Sequence, residues 1–266
     1  MTDSLELVDI GLKAGARVLV ERLSIRVEAG QMWCVAGPNG AGKTTLIDVI
    51  AGLRRPSSGQ VELDGRALTQ WTNEALARRR ALMPQSTHDA FGSTALDTVL
   101  IGRHPWIGGW GWEKDADLDI ARRALDALGI GALAQRDVTT LSGGERQRVA
   151  LATALCQDAA LMLLDEPLSH LDPRHQIESL AVLRRWISTG AERRAVVFSC
   201  HDLNLAREFA THAVLFDGAG AAVCGPVLDV LTPEHVSHAF GFPLVLLSDG
   251  ERRMLVPRLD SSIERW

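Results

Sequence analysis

Residues Met32 to Leu53 read MWCVAGPNGAGKTTLIDVIAGL, and the change of texture along them decides the fold. The apolar run MWCVAG has the character of a strand buried on both faces. GPNGAGKT, Gly37 to Thr44, fits G-x-x-x-x-G-K-[ST], the pattern of a phosphate-binding loop. KTTLIDVIAGL then carries helical periodicity as far as Gly52. A strand, a glycine loop and a helix in that order turn backbone N–H groups inward around phosphate oxygens, where the helix dipole adds positive potential. Gly37, Pro38, Asn39, Gly40, Ala41 and Gly42 form the cradle. Lys43 is placed to meet β and γ phosphates, the Thr44 hydroxyl to hold Mg2+, and Thr45 follows in the first helical turn. A plain glycine turn would explain the glycines but not the lysine, because the chain has only three, Lys13, Lys43 and Lys114.

Away from this unit, Leu5 to Ile10 and Leu23 to Glu28 alternate in part between apolar and polar residues and predict short strands joined by the turn-rich LKAGAR. QVELDG (60–65) predicts a strand with an Asp-Gly turn, and RRRALMPQ a helix end running into a short strand stopped by Pro84. From Ser86 to about Ala160 the pattern turns helical, with helices expected at 94–102, 115–129 and 144–157. Strand-type segments resume in LMLLD (161–165), AVVFSC (195–200) and AVLFD (213–217), with helices at about 174–188 and after His201. Strands alternating with helices specify a mostly parallel sheet covered on both faces. The expected organisation is a core of 1–85 and 161–240, a helical insert of 86–160 and a short strand-bearing extension, 241–266.

Composition removes several functional classes. Hydrophobic residues at 46% and charged residues at 23% are those of a folded globular chain. The net charge of −5 argues against a partner gripped mainly through nucleic-acid phosphates, and Arg78 to Arg80, the longest basic run, fits a solvated helix face. Cys34, Cys156, Cys200 and Cys224 are scattered, which signals neither a zinc site nor a disulfide framework. MTDSLELVDI is acidic where a signal peptide is basic, and no run of about 18 apolar residues follows. A cytoplasmic chain that reaches a membrane only through a partner is expected.

LMLLDEP (161–167) complements the glycine loop, since an apolar strand delivers Asp165 and Glu166 to its C-terminal edge, where ligands sit in such sheets. Asp165 suits a magnesium shell and Glu166 a role as the base that orients or deprotonates water. An Asp-Glu pair closing a strand can equally be surface solvation when it stands alone. Gln85 follows a strand and is a candidate for magnesium or the attacking water, polar surface being the plainer reading. His201 ends AVVFSC and is a candidate donor to a γ phosphate, with helix capping or packing as its alternative.

LSGGERQ (141–147) poses a different problem. Ser142 and Glu145 make an S-x-x-E capping box, so a well-capped helix is one reading. Gly143 and Gly144 undercut it, because each weakens a helix by on the order of 1 kcal/mol relative to alanine. Bare glycines at a helix N-terminus do allow close approach of a phosphate. The glycine loop already encloses one side of its own nucleotide, so the exposed phosphate would be met by another copy of the chain.

With these motifs in place the sequence resembles the ATP-binding cassette family over essentially its whole length. GPNGAGKTT, Gln85, LSGGERQ, LMLLDEP, SHLD (169–172) and His201 are similar, in order, to its Walker A, Q-loop, signature, Walker B, D-loop and switch-histidine motifs. The resemblance implies an α/β P-loop NTPase core with a mostly parallel sheet, a small antiparallel β subdomain and a helical insert subdomain. It implies ATP and Mg2+ as cofactors, with Thr44, Gln85 and Asp165 toward the metal and Glu166, His201 and Gln85 in catalysis. It also implies a homodimer in which Ser142, Gly143, Gly144 and Glu145 contact ATP held by the partner subunit and Asp172 sits in the D-loop. Hydrolysis then removes the shared ligand and lets the halves separate. Three features depart from the family: LKAGAR offers no aromatic residue for adenine, so that either base stacking is weaker or Arg17 substitutes for it; Glu145 replaces the more frequent glutamine; and His170 replaces a small residue.

A single cassette without a membrane span resembles the separate ATPase subunit of a bacterial importer, peripheral on the cytoplasmic face of the cell membrane. The implied partners are polytopic permease subunits and a substrate-binding protein on the periplasmic side or cell surface, with no direct nucleic acid. TALDTVLIGRHPW (94–106), HDLNLAREFA (201–210) and GPVLDVLTPEHVSHAFGFPL resemble importer ATPases for iron-siderophore, haem and cobalamin, cobalamin most of all. Trp106, Trp110 and Trp112 in PWIGGWGWEK are either an anchor for the membrane subunit or packed under the helical insert. An exporter ATPase shares these motifs. A cassette acting on nucleic acid or ribosomes would carry a coiled-coil insert or a second cassette, and a P-loop kinase would leave LSGGERQ unexplained.

Overall fold

In the computed structural model, which describes residues 4–85, 92–107, 111–189, 194–250 and 252–258, the strand ahead of the glycine loop lies inside a six-stranded sheet. The chain begins with β1 (Ser4–Ala14), β2 (Arg17–Glu28), β3 (Met32–Ala36), α1 (Lys43–Ile50), β4 (Ser58–Leu63) and β5 (Arg66–Ala67). It continues through α2 (Asn73–Arg79), β6 (Arg80–Met83), α3 (Ala95–Leu100), α4 (Asp115–Ala127) and α5 (Gly143–Gln157). Then come β7 (Leu161–Leu164), α6 (Pro173–Thr189), β8 (Ala195–Ser199), α7 (Leu203–Phe209), β9 (His212–Phe216) and β10 (Ala222–Pro226). α8 (Val227–Val230), α9 (Pro233–Phe240), β11 (Leu244–Asp249) and β12 (Arg252–Pro257) close it.

The large sheet has the order β10-β9-β3-β8-β7-β6 and is parallel except for the β9–β10 pair. An antiparallel sheet, β2-β1-β4-β5, packs over one face. β3 and β7 are apolar throughout, and β8 is apolar up to its last residue, Ser199, because both faces are covered. Met32, Cys34, Met162, Leu164, Val196 and Phe198 point to the helical side, among residues of α3, α4 and α5. Trp33, Val35, Leu161, Leu163 and Val197 point to the other side, with Leu46 and Ile47 of α1 and the inner residues of β1 and β2. One step further along β7 and β8, the same alternation brings Asp165 and Ser199 to the side of α1.

Two boundaries differ from the sequence expectation. β1 and β2 form one long hairpin with a tight turn at Gly15, where short strands joined by a six-residue loop were expected. Register shifts between Leu7 and Lys13, with Asp9 at φ 51, break the alternation that would have marked the rest of the strand. The first helix of the insert ends at Leu100 and tightens into a 3-10 turn over Ile101–Trp106, which contains Pro105. Buried Arg103 in that turn donates to Asp117 of α4 at 2.8 Å and to the Cys156 carbonyl of α5 at 3.0 Å, joining the helices of this region.

The β11–β12 hairpin is hydrogen-bonded to α7 through Asn204, while Leu255 of β12 is buried in the core to which α7 also contributes. Asn204 Nδ2 donates to the Leu255 carbonyl at 3.1 Å, and the Leu255 N–H donates to Asn204 Oδ1 at 2.8 Å. Among the described residues no helix is long and apolar enough to cross a membrane. Asn204→Ala removes both bonds, each worth about 1 kcal/mol. Amide exchange across 252–257 is expected to quicken by roughly tenfold or more while the midpoint of global unfolding barely moves, as hydrogen-exchange mass spectrometry would read.

Candidate functional site

Because β6, β7, β8 and β3 are parallel neighbours, their C-terminal ends lie along one edge. They deliver Gln85, the Asp165–Glu166 pair, Ser199 with His201, and the glycine loop to the same place. A cleft of about 750 Å3 is lined there by Asn39, Lys43, Thr44, Gln85, Glu166 and His201 among others.

The loop has the shape its composition predicts. Gly37, Gly40 and Gly42 have φ of 141°, 74° and 115°. At Gly37 a Cβ would lie 2.8 Å from the Phe216 carbonyl oxygen of β9, so only glycine fits. Lys43 is 6% exposed, and its ammonium donates to the carbonyls of Gly37 at 3.0 Å and Pro38 at 3.2 Å. Burial pulls its pKa below the usual lysine value, against the attraction of Glu166 and Asp165. A buried cation at the mouth of a loop of N–H groups is a strong attractor for a polyanion.

The carboxylates are held unequally. Asp165 is 2% exposed; its Oδ1 accepts from Ser199 Oγ at 2.6 Å, while its Oδ2 is buried without a partner. Glu166 has a left-handed backbone, φ 51°, and its peptide groups are held on both sides. Ser199 Oγ accepts the Glu166 N–H at 2.7 Å, and Gln147 of α5 donates to the Glu166 carbonyl at 2.8 Å. Glu166 Oε1 lies 2.9 Å from His201 Nε2. Ser199 and Gln147 escaped the sequence reading. A serine in the otherwise apolar AVVFSC was the available signal for the first, since a polar side chain on a buried strand must find a partner.

Ser142, Gly143, Gly144 and Glu145 do not line the cleft. Ser142 caps α5 by accepting the Glu145 N–H at 3.3 Å, and Glu145 Oε2 accepts the Ser142 N–H at 2.7 Å. That backbone bond, with the Ser142 hydroxyl, holds the Glu145 carboxyl below the usual range. A Cβ on Gly144 would come 2.9 Å from the backbone oxygen of His170, itself at φ 61°. At Gly143 the nearest atom would be His170 Cβ at an ordinary 3.5 Å. At least one of the two glycines therefore has a reason inside its own chain. Asp172 caps α6, accepting from the His175 N–H at 2.9 Å. Arg17 donates to the Gly218 carbonyl at 2.9 Å, close to Gly40. Trp106 Nε1 donates to the Gln157 carbonyl at 2.6 Å, Trp112 is 87% exposed, and Trp110 lies outside the described residues.

Known proteins resemble this chain in sequence and in fold. A family model described as ABC transporter matches residues 20–169. The chain is 40% identical over 263 residues to the hemin import ATP-binding protein of Methylobacillus flagellatus, with 96% of each covered. It is also 40% identical to the cobalamin import ATP-binding protein of Halobacterium salinarum, over 85% of this chain and 56% of that protein. Among solved structures, a metal-chelate type ABC transporter in an inward-facing conformation superposes with a TM-score of 0.83 at 29% identity, covering 98% of this chain and 99% of that one.

The two signature glycines are expected to behave oppositely in the chain without nucleotide. Gly144→Ala should cost about 1–3 kcal/mol through its clash with the His170 carbonyl. Gly143→Ala should be neutral or gain up to about 1 kcal/mol from helix propensity. Urea unfolding of both variants checks this, and equal losses would remove the argument from His170.

Proposed function

The chain belongs to the ABC transporter family, and from that premise we propose that it is the ATP-hydrolysing subunit of a metal-chelate importer. The observation that carries the reading is the convergence, in one cleft, of a buried lysine and a hydrogen-bonded glutamate and histidine, with the neighbouring Asp165 buried and keeping one unpartnered oxygen.

Phosphates entering the glycine loop draw the Lys43 ammonium from the carbonyls of Gly37 and Pro38 and meet backbone N–H groups of residues 39–45. Mg2+ suits the oxygen donors present, the Thr44 hydroxyl, the Gln85 amide and the unpartnered Asp165 Oδ2. When bound, the ion neutralises charge on the phosphate oxygens. Glu166 takes the water's proton or orders its lone pair toward the γ phosphate, a contribution of roughly 10² to 10⁴ in rate. His201, bonded to Glu166, turns its imidazole between that carboxylate and the γ phosphate.

Two copies close on two ATP molecules, with the signature residues 142–145 of each against the γ phosphate of the other, and turnover opens them. The dimer works on the cytoplasmic face of the cell membrane beneath permease subunits, supplied from outside by a substrate-binding protein. A groove of about 240 Å3 lined by Leu82, Pro84, Ile101, Val149, Thr153 and Gln157 supports a docking place for a permease helix, with exposed Ile101 and the Trp106 ring beside it. The cargo is a metal chelate, haem, cobalamin or an iron-siderophore. The names of the relatives support the class without selecting one member.

Lys43→Ala should weaken ATP binding by at least tenfold, read by equilibrium titration, because it removes the one buried cation of the cradle. Glu166→Gln should abolish nearly all turnover and trap an ATP-bound dimer on size exclusion; undiminished hydrolysis would remove Glu166 as the base. Purification from detergent-solubilised membranes should recover a polytopic permease and a substrate-binding protein. Recovery with ribosomes or DNA-processing proteins alone would sink the transport reading, and an exporter partner would reverse its direction.

A further inference from the structure

Ser199 is the polar exception in β8 and is 1% exposed. A hydroxyl has one proton to give, and Asp165 Oδ1 takes it at 2.6 Å. A lone pair of the same oxygen accepts the Glu166 N–H at 2.7 Å. One buried atom is thus bonded to both members of the carboxylate pair. The sheet does not require it, since β8 pairs on both sides through its backbone, and a small apolar residue would suit the strand. Such a residue would leave Asp165 with a second unpaired buried oxygen and the Glu166 N–H without its acceptor.

Two consequences follow from that bonding. With Oδ1 committed to Ser199, the unpartnered Oδ2 is the Asp165 oxygen left for a cation. Glu166 meanwhile keeps a left-handed backbone that a non-glycine residue resists, and Ser199 holds it from the N–H side as Gln147 does from the carbonyl side. A turn of that peptide would carry the carboxylate away from His201. Resting on the ATPase reading above, we infer that Ser199 is a positioning residue for ATP hydrolysis, its hydroxyl selecting the Asp165 oxygen that faces Mg2+ and holding the backbone that aims Glu166.

The test compares Ser199→Thr with Ser199→Val, which add the same bulk and differ in the hydroxyl. In a Glu166→Gln background, where turnover is stopped, Mn2+ is titrated into full-length protein with excess ATP and followed by electron paramagnetic resonance. Loss of an outer-shell partner predicts that the valine variant binds Mn2+ about 10- to 100-fold more weakly and the threonine variant within about threefold of Ser199. ATP binding in EDTA, which reads the glycine loop alone, should be equal in all three. With Glu166 restored, the valine variant should lose kcat by about 10- to 100-fold with little change in KM, and threonine should rescue it. Equal Mn2+ binding by the two variants overturns the inference. If the added methyl group disturbs folding, Ser199→Ala against the parent makes the same comparison. Failure of the ATPase reading would show separately, as a parent protein without hydrolysis that Glu166→Gln abolishes.

Discussion

A parallel strand buried on both faces can offer polar groups only at its ends. In this sheet β3, β7 and β8 are lined entirely by apolar side chains except at their last residue or just beyond it. Everything chemical therefore gathers at one edge, and the sheet order sets what meets what. β8 lies between β3 and β7, so Ser199 and His201 fall between the glycine loop and the Asp165–Glu166 pair. Gln85 comes from β6, on the far side of β7.

The electrostatics of that edge suit a nucleotide and, in the function proposed, a divalent cation with it. A desolvated ammonium faces two carboxylates, one of which keeps a buried oxygen without a partner. Neither charge is fully answered by the protein. A polyphosphate answers the lysine, and a divalent cation answers the aspartate. The helix N-terminus at α1 adds to the first attraction, and its cap is Gly42, which has no side chain to compete with the ligand.

The signature segment shows how one residue type can serve two ends. Glycines in LSGGERQ read most directly as openings for a phosphate from a second subunit. Within one chain Gly144 also clears the backbone oxygen of His170, which binds the signature helix closely to the D-loop. α5 reaches the edge that carries the Asp165–Glu166 pair as well, through Gln147 on the Glu166 carbonyl. Movement of the signature helix is thereby tied to the backbone of the glutamate by a direct hydrogen bond.

Much of the fold and site was legible beforehand because its signals are local. A buried strand, a glycine loop and a lysine opening a helix are contiguous, and so are LMLLDEP and LSGGERQ; their chemistry follows from residue types at fixed spacing. The long β1–β2 hairpin was read short because the irregularity at Asp9 breaks alternation. The sequence by itself determined the α/β class, the phosphate loop and the identity of the acidic pair. Only the tertiary structure decided that Ser199 bridges the Asp165 carboxylate and the Glu166 backbone N–H, that Gln147 restrains Glu166, that Gly144 is needed against His170 and that Asn204 clamps the C-terminal hairpin. Each of these joins residues between 19 and 51 positions apart, on separate elements, through one or two hydrogen bonds or a close approach. Such contacts leave no periodic trace in the chain, because their geometry exists only once the parallel strands have been placed side by side.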